Sequence, residues 1–305
     1  VNEDASNTTI DLSSVFTDID NDDSAITKTI QSNSNSSLVS ASISGNTLTL
    51  DYESNQNGSA TITVRGTSNE LYVDDEFTVT VNPIADTPSI TAASTLEDNI
   101  TSSGLVISRN TVDGSEVTHF KITGITNGTL YQNNGSTSIT NNDFITFAEG
   151  NTGLKFDPDE DYYGSGFITI QASVSSSNGG LGGSQVTATI TVDPVADTPS
   201  ITAASTLEDN ITSSGLVISR NTVDGSEVTH FKITGITNGT LYQNNGSTSI
   251  TNNDFITFAE GNTGLKFDPD EDYYGSGFIT IQASVSSSNG GLGGSTVIAT
   301  VTVNP

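Results

Sequence analysis

The chain has 305 residues, 36 acidic against 8 basic side chains, two histidines, and no Cys, Met or Trp. A formal net charge of −28 repels nucleic-acid phosphates and anionic membrane surfaces, so neither is an expected partner, whereas a metal cation is. Without cysteine there is no disulfide framework, zinc-thiolate site or Cys nucleophile, and no run of about 18 apolar residues is present to span a bilayer.

Hydrophobic residues make up 32% of the chain, which with this charge leans towards disorder by composition alone. Pattern opposes that reading. In chain order, "SATITVRG" (59–66), "EFTVTVNP" (76–83), "HFKITGI" (119–125), "GFITIQAS" (166–173) and "VTATITVDP" (186–194) alternate apolar and polar residues and are rich in Thr, Val and Ile. Period two predicts strands. Between them "TNGT" (126–129), "NNGS" (133–136) and "SSNGGLGGS" (176–184) predict turns.

The stretch Ala85–Ser184 recurs unchanged as Ala196–Ser295, an offset of 111 residues, and the copies differ only afterwards: Gln185, Thr187, Ile190 and Asp193 become Thr296, Ile298, Val301 and Asn304. "VTVNPIADTP" (79–88), "ITVDPVADTP" (190–199) and the closing "VTVNP" (301–305) mark repeated boundaries. We therefore expect three domains: 1–84, shorter and divergent; 85–195, the first repeat copy; and 196–305, the second. Pro305 aligns with Pro83 and Pro194, and "VNEDAS" at the start aligns with "TLEDNI" (95–100), so the chain is expected to be a section of a longer array. Units of this size with short strands and no helical period indicate an all-β fold of tandem immunoglobulin-like Greek-key β-sandwiches. Proline in each linker limits bending, which predicts an elongated rod.

The segments carry net charges of −11, −9 and −8. Calcium takes six to eight oxygen ligands, so a site needs several carboxylates converging from different loops. Four places per repeat supply them: Glu97 and Asp98; Asp113 and Glu116 in "VDGSE"; Asp157, Asp159, Glu160 and Asp161 in "FDPDEDYYG"; and Asp193 with Asp197 at the linker. In the second copy the counterparts are Glu208 and Asp209, Asp224 and Glu227, and Asp268, Asp270, Glu271 and Asp272. The first domain offers Glu3 and Asp4; Asp18, Asp20, Asp22 and Asp23; Asp51 and Glu53; and Asp86 at the linker. Neither acidic run is an EF-hand, because the sixth and twelfth positions are Asp23 and Thr29 from Asp18, and Tyr162 and Ile168 from Asp157. Any ion must be completed by residues distant in sequence. The competing account of these acids is a solvated surface that resists edge-to-edge sheet pairing. It suits scattered charges such as Asp143 and Glu149 better than four carboxylates in five positions.

The order of these motifs resembles that of cadherins and bacterial cadherin-like tandem repeats of large surface adhesins. In the first domain "DLSSVFTDIDND", "VSASISGNTLTL" and "GSATITV" carry the likeness, and in the repeats "VDGSEVTHFKITGITNGTL" and "LKFDPDEDYYGSGFITI". The resemblance implies calcium at domain junctions, stiffening a cell-surface rod. Residue by residue, Glu3, Asp51 and Glu53 match ligands from the domain before a junction, with Asp113 and Glu116 supplied by the domain after it. Glu97, Asp159, Glu160 and Asp161 match the first role at the second junction, with Asp224 and Glu227 following, and Asp18 and Asp20 would serve a domain preceding the chain. The sequence departs from the family at the linker, where only Asp86 is retained, at Thr111, where a first Asp is usual, and at Ser68 and Ser173 or Ser175, where a late Asp is usual. Fewer or weaker ions per junction, or ions placed inside the domains instead, are implied.

Other chemistries have less support, and no enzyme is expected. His119 and His230, the only histidines, fall on an exposed strand face with no third group to orient a base. Tyr131, Tyr162 and Tyr163 could present rings to a sugar but suit strand and core packing better. "NGGLGGS" (178–184) suits a flexible hairpin loop. The expected role is thus the stalk of an extracellular adhesin, with the neighbouring repeats and a distal ligand-binding domain as partners. Self-assembly into a filament or surface layer, or a carbohydrate-binding module, are the alternatives.

Overall fold

The computed structural model describes all 305 residues, Val1–Pro305. Its elements are nearly all strands, and no helix is long and apolar enough to cross a membrane. Three separate hydrophobic cores follow one another along the chain, one drawn from residues 12–81, one from 85–192 and one from 196–303.

In the first domain, Thr8–Asp11, Thr47–Tyr52 and Val39–Ser44 form one sheet in that order, and Thr27–Asn33, Gly58–Ser68 and Leu71–Val81 form the other. The alternation read from the sequence sets which face is buried: along Gly58–Ser68, Ala60, Ile62 and Val64 point inward between exposed or half-buried neighbours. Asn69 and Glu70 close the hairpin to Leu71–Val81 with φ of 48° and 66°, a two-residue turn whose left-handed residues match the strand twist.

Each repeat has a five-stranded sheet. In the first copy its order is Phe144–Thr146, His119–Thr126, Gly164–Ser173, Leu181–Asp193 and Ala93–Leu96, the last pairing parallel with the end of Leu181–Asp193. Facing it are Ser138–Ile139, Gly128–Tyr131 and Lys155–Pro158, and Ser89–Ile90 pairs with Ile107–Ser108 as a separate two-stranded sheet. The second copy repeats this arrangement. Phe120 and Phe156, fully buried between the layers, each contribute about 2–3 kcal/mol through burial.

Three local readings change. Glu149 is not scattered surface charge: Thr146 and Glu149 form a reciprocal capping box on the one-turn helix Phe147–Asn151, and Glu260 repeats it on Phe258–Asn262. Asp143 likewise accepts hydrogen bonds from the Thr140 amide and hydroxyl. "NGGLGGS" does lie at the hairpin joining Gly164–Ser173 to Leu181–Asp193, but it is built rather than loose: Asn178–Gly180 is a 3-10 turn and Leu181 begins the long strand. Its glycines admit the linker: a Cβ on Gly182 would lie 2.1 Å from the Ala85 carbonyl oxygen, and one on Gly183 2.3 Å from the Thr87 nitrogen. Gly293 and Gly294 seat Ala196 and Thr198 in the same way.

Candidate functional site

Where one core gives way to the next, the linker is held at both sides by carboxylates. At the first junction Glu3, only 8% exposed, accepts the Ile84 amide at 2.5 Å. Two residues on, the Asp86 amide donates to Asp113 at 3.1 and 3.3 Å. At the second, Glu97, 5% exposed, accepts the Val195 amide at 2.6 Å, and the Asp197 amide donates to Asp224 at 3.1 and 3.3 Å. These charge-assisted bonds fix the linker backbone. They also bring like charges together.

The electrostatics show which acids share a neighbourhood. Burial pushes the Glu97 carboxyl above its ordinary value; the Val195 amide opposes this, and Asp98, Asp197 and Glu227 push it further up. Burial likewise raises Asp197, with Asp161 and Asp98 adding to it, and Asp224, where Asp197 and Glu227 add their charge against two backbone amides. At the first junction burial raises Glu3, opposed by the Ile84 amide and reinforced by Asp4, Asp86 and Glu116. Burial raises Asp113, with Asp86 and Glu116 contributing. No basic side chain is among the causes of these five upward shifts.

Local backbone explains how the entry acids are presented. Asp4, Asp98 and Asp209 are all left-handed, with φ of 59°, 56° and 58°. Their carboxylates accept the amides of Asn55, Asp161 and Asp272 respectively, each at 3.0 Å. Asn55, Asp161 and Asp272 are left-handed as well, a conformation that Asn and Asp tolerate better than other non-glycine residues. Strand register makes them equivalent, since Gly58, Gly164 and Gly275 pair with Val81, Val192 and Val303. Counting back from those glycines, Asn55 occupies the place of Asp161, and Asn57 that of Tyr163.

The predicted ligands therefore divide. Glu3, Asp86, Asp113 and Glu116 meet at the first junction, and Glu97, Asp98, Asp161, Asp197, Asp224 and Glu227 at the second. Glu208, Asp209 and Asp272 repeat the same arrangement at the C-terminal end of the last domain. Asp159 and Glu160, and their counterparts Asp270 and Glu271, lie exposed on their turn, while Asp157 and Asp268 are half-buried in strands. Asp51, Glu53 and Asp193 are exposed. Asp18 and Asp20 lie in the loop before the 3-10 turn Asp23–Ala25. There the Ser68 hydroxyl, the Asp20 amide and Asn21 hold the Asp18 carboxyl down to about 2.

Tyr163 is a junction residue and not the strand or core packing residue that its sequence context suggests. A Cβ on Gly225 of the next domain would meet its hydroxyl at 3.5 Å. The Glu227 carboxylate raises the Tyr163 phenol. Burial pushes Glu227 up, but its own amide, Tyr163, the Gly225 amide and Arg220 outweigh this and leave it below its ordinary value. Glu227 Oε2 nevertheless is enclosed without a partner of hydrogen-bond geometry, so the Tyr163 contact is electrostatic proximity rather than a formed bond. Tyr162, by contrast, packs on the core and bonds Asn127 and Ser165.

In this structure no three His, Asp or Glu side chains close in far enough to hold an ion. The donor set fits a hard divalent cation: carboxylate oxygens from separate loops, a linker carboxylate between them, and in Glu227 Oε2 an enclosed oxygen in need of a partner. His119 does not join them, its Nδ1 pairing with the neighbouring Thr118 hydroxyl at 2.8 Å.

Strand order and junctions together define tandem antiparallel β-sandwiches with acid-lined linkers. No family model matches the chain, and no curated protein matches it. Among solved structures it is similar to mouse Cadherin-23 EC22-24, with 14% identity, 92% of this chain and 86% of that one covered, and a TM-score of 0.40. It is similar also to human CDH23 EC21-23, with 10% identity, 91% and 88% covered and a TM-score of 0.47. A third is the I-band fragment I67-I69 from titin, with 10% identity, 88% and 82% covered and a TM-score of 0.39. The superpositions are loose, and the fold is given by the strand pairing itself.

Proposed function

We propose that this chain is a stalk segment of an extracellular adhesion protein, in which calcium at the acid-lined junctions holds successive sandwiches at fixed angles. The observation that carries the reading is the clamped linker: Ile84 and Asp86 are bound by Glu3 and Asp113, and Val195 and Asp197 by Glu97 and Asp224, within sets of mutually repelling carboxylates. Such an arrangement opposes closure until a cation neutralises it. At the first junction Glu3, Asp4, Asp86, Asp113 and Glu116 would hold the ion, and at the second Glu97, Asp98, Asp161, Asp197, Asp224 and Glu227. The cation supplies positive charge and multiple oxygen coordination; the chain supplies ligands from both flanking domains, so binding couples their orientation. The working partners are neighbouring repeats and a distal ligand-binding domain, at the cell surface.

The test is thermal unfolding with small-angle X-ray scattering of the 305-residue chain in calcium and in EDTA, at matched ionic strength to hold screening constant. An ion that binds only the folded state at a hundredfold excess over Kd adds about 2.7 kcal/mol. A melting temperature higher by several degrees and a narrower, more extended scattering profile are expected. Superimposable melting and scattering curves would sink the proposal.

A further inference from the structure

We infer that the two junctions are unequal cation sites, the second filling at lower calcium than the first, because Asp161 and the covering Tyr163 are replaced at the first by Asn55 and Asn57. The inference rests on the calcium reading above and concerns how the chain's own residues divide that role.

The two repeats are identical through these regions, so Asp113 and Glu116 at the first junction are the same motif as Asp224 and Glu227 at the second. Any inequality must come from the domain before the linker. There, Asp4 and Asp98 make the same 3.0 Å bond to a left-handed residue, and that residue is Asn55 in one case and Asp161 in the other. Replacing a carboxylate by a carboxamide keeps an oxygen but removes a full negative charge, and calcium affinity follows ligand charge count. The second difference is cover. Tyr163 places its hydroxyl beside Gly225 and Glu227, and Glu227 Oε2 is enclosed without a partner, whereas the equivalent oxygen of Glu116 is not. Reduced access of water strengthens a carboxylate's attraction for a cation. Asn57 is exposed and carries no ring.

The chain has no cysteine, so introduced pairs can be spin-labelled without background. Thr78→Cys with Ser176→Cys spans the first junction and Thr189→Cys with Ser287→Cys the second, all at exposed positions. Pulsed electron spin resonance across a calcium titration reads each interdomain distance distribution. The second pair is expected to narrow at a calcium concentration roughly tenfold lower than the first, Asp161→Asn to erase most of that gap, and Asn55→Asp to reduce it from the other side. Asn at φ near 56° is already used at position 55, so D161N is expected to fold. Coincident midpoints in the unsubstituted chain, or a second midpoint unmoved by D161N, overturn the inequality while leaving calcium binding intact. No narrowing at either junction overturns the calcium reading and this inference together.

Discussion

The two junctions share one upper half and differ in the lower. Asp113 and Glu116 above the first linker are copied as Asp224 and Glu227 above the second, and the clamp distances agree to within 0.1 Å on Glu3 and Glu97 and are the same on Asp113 and Asp224. Below the linkers, Asn55, Asn57 and Asn82 stand where the second junction has Asp161, Tyr163 and Asp193. Backbone geometry at such a junction is thus independent of its charge: one clamp operates with amides or with acids around it. Tyr163 and Tyr274 add a second lesson. They have the same sequence context, yet are 39% and 68% exposed, so contact with the following domain, and not local sequence, decides their burial.

The comparison is broken most forcefully at the linker seats. Gly182→Val pushes a side chain into the Ala85 carbonyl and is expected to destabilise the first repeat by about 3 kcal/mol, with Gly293→Val doing the same to the second. Urea unfolding measures this, and a silent G182V would show that the linker is not seated there. Removing a clamp comes next. Glu97→Ala and Glu3→Ala each leave a part-buried linker amide without its acceptor, a loss of about 1 kcal/mol in EDTA. Equal losses at the two junctions are expected without metal, and a larger loss for E97A than for E3A with calcium present. A control of about 1 kcal/mol is Thr146→Ala against Thr257→Ala, which open the two capping boxes. Because neither belongs to a junction, calcium is expected to leave both losses unchanged in denaturant titrations.

The smallest effect is that of pH. Glu3, Asp113, Glu97, Asp197 and Asp224 hold their protons more tightly when folded than when unfolded. Their contribution is therefore fully present below the ordinary carboxylate range and is lost as pH rises through the raised values. In EDTA the melting temperature is expected to fall as pH rises above the ordinary carboxylate range. Asp18, Glu149 and Glu260 shift downward and act oppositely, losing their contribution as pH falls below the ordinary range. A metal-free optimum in the mildly acidic region follows, read by calorimetry across pH. In calcium that slope is expected to reverse, because protons compete with the cation for the same oxygens.

Much of the architecture was legible in the chain itself. The alternation in "SATITVRG" and "GFITIQAS" became Gly58–Ser68 and Gly164–Ser173, because period two leaves a single face to bury. The helix Phe147–Asn151 leaves only the capping spacing of Thr146 and Glu149 in the sequence; one turn is too short for a helical period to register. The glycines of "NGGLGGS" read as flexibility because their purpose, a close approach by Ala85 and Thr87, involves residues nearly a hundred positions away. At the junctions the sequence marked the acids but not their partners. Asp51 and Glu53 drew attention by spacing, while Asn55, without charge, held the position of Asp161. The register of Gly58 against Gly164 was the signal that could have aligned them.

By itself, then, the sequence determined the β class, the duplication and the strong negative charge, because periodicity, identity and composition are properties of the chain read in order. Tertiary structure alone decided which carboxylates meet. Glu97 binds Val195 from 98 residues away, and Asp224 reaches Asp197 from 27, so the grouping depends on how two sandwiches abut across a linker. The same abutment encloses Glu227 Oε2 and covers Tyr163: burial and like-charge repulsion act on distance in space, to which spacing along the chain is blind.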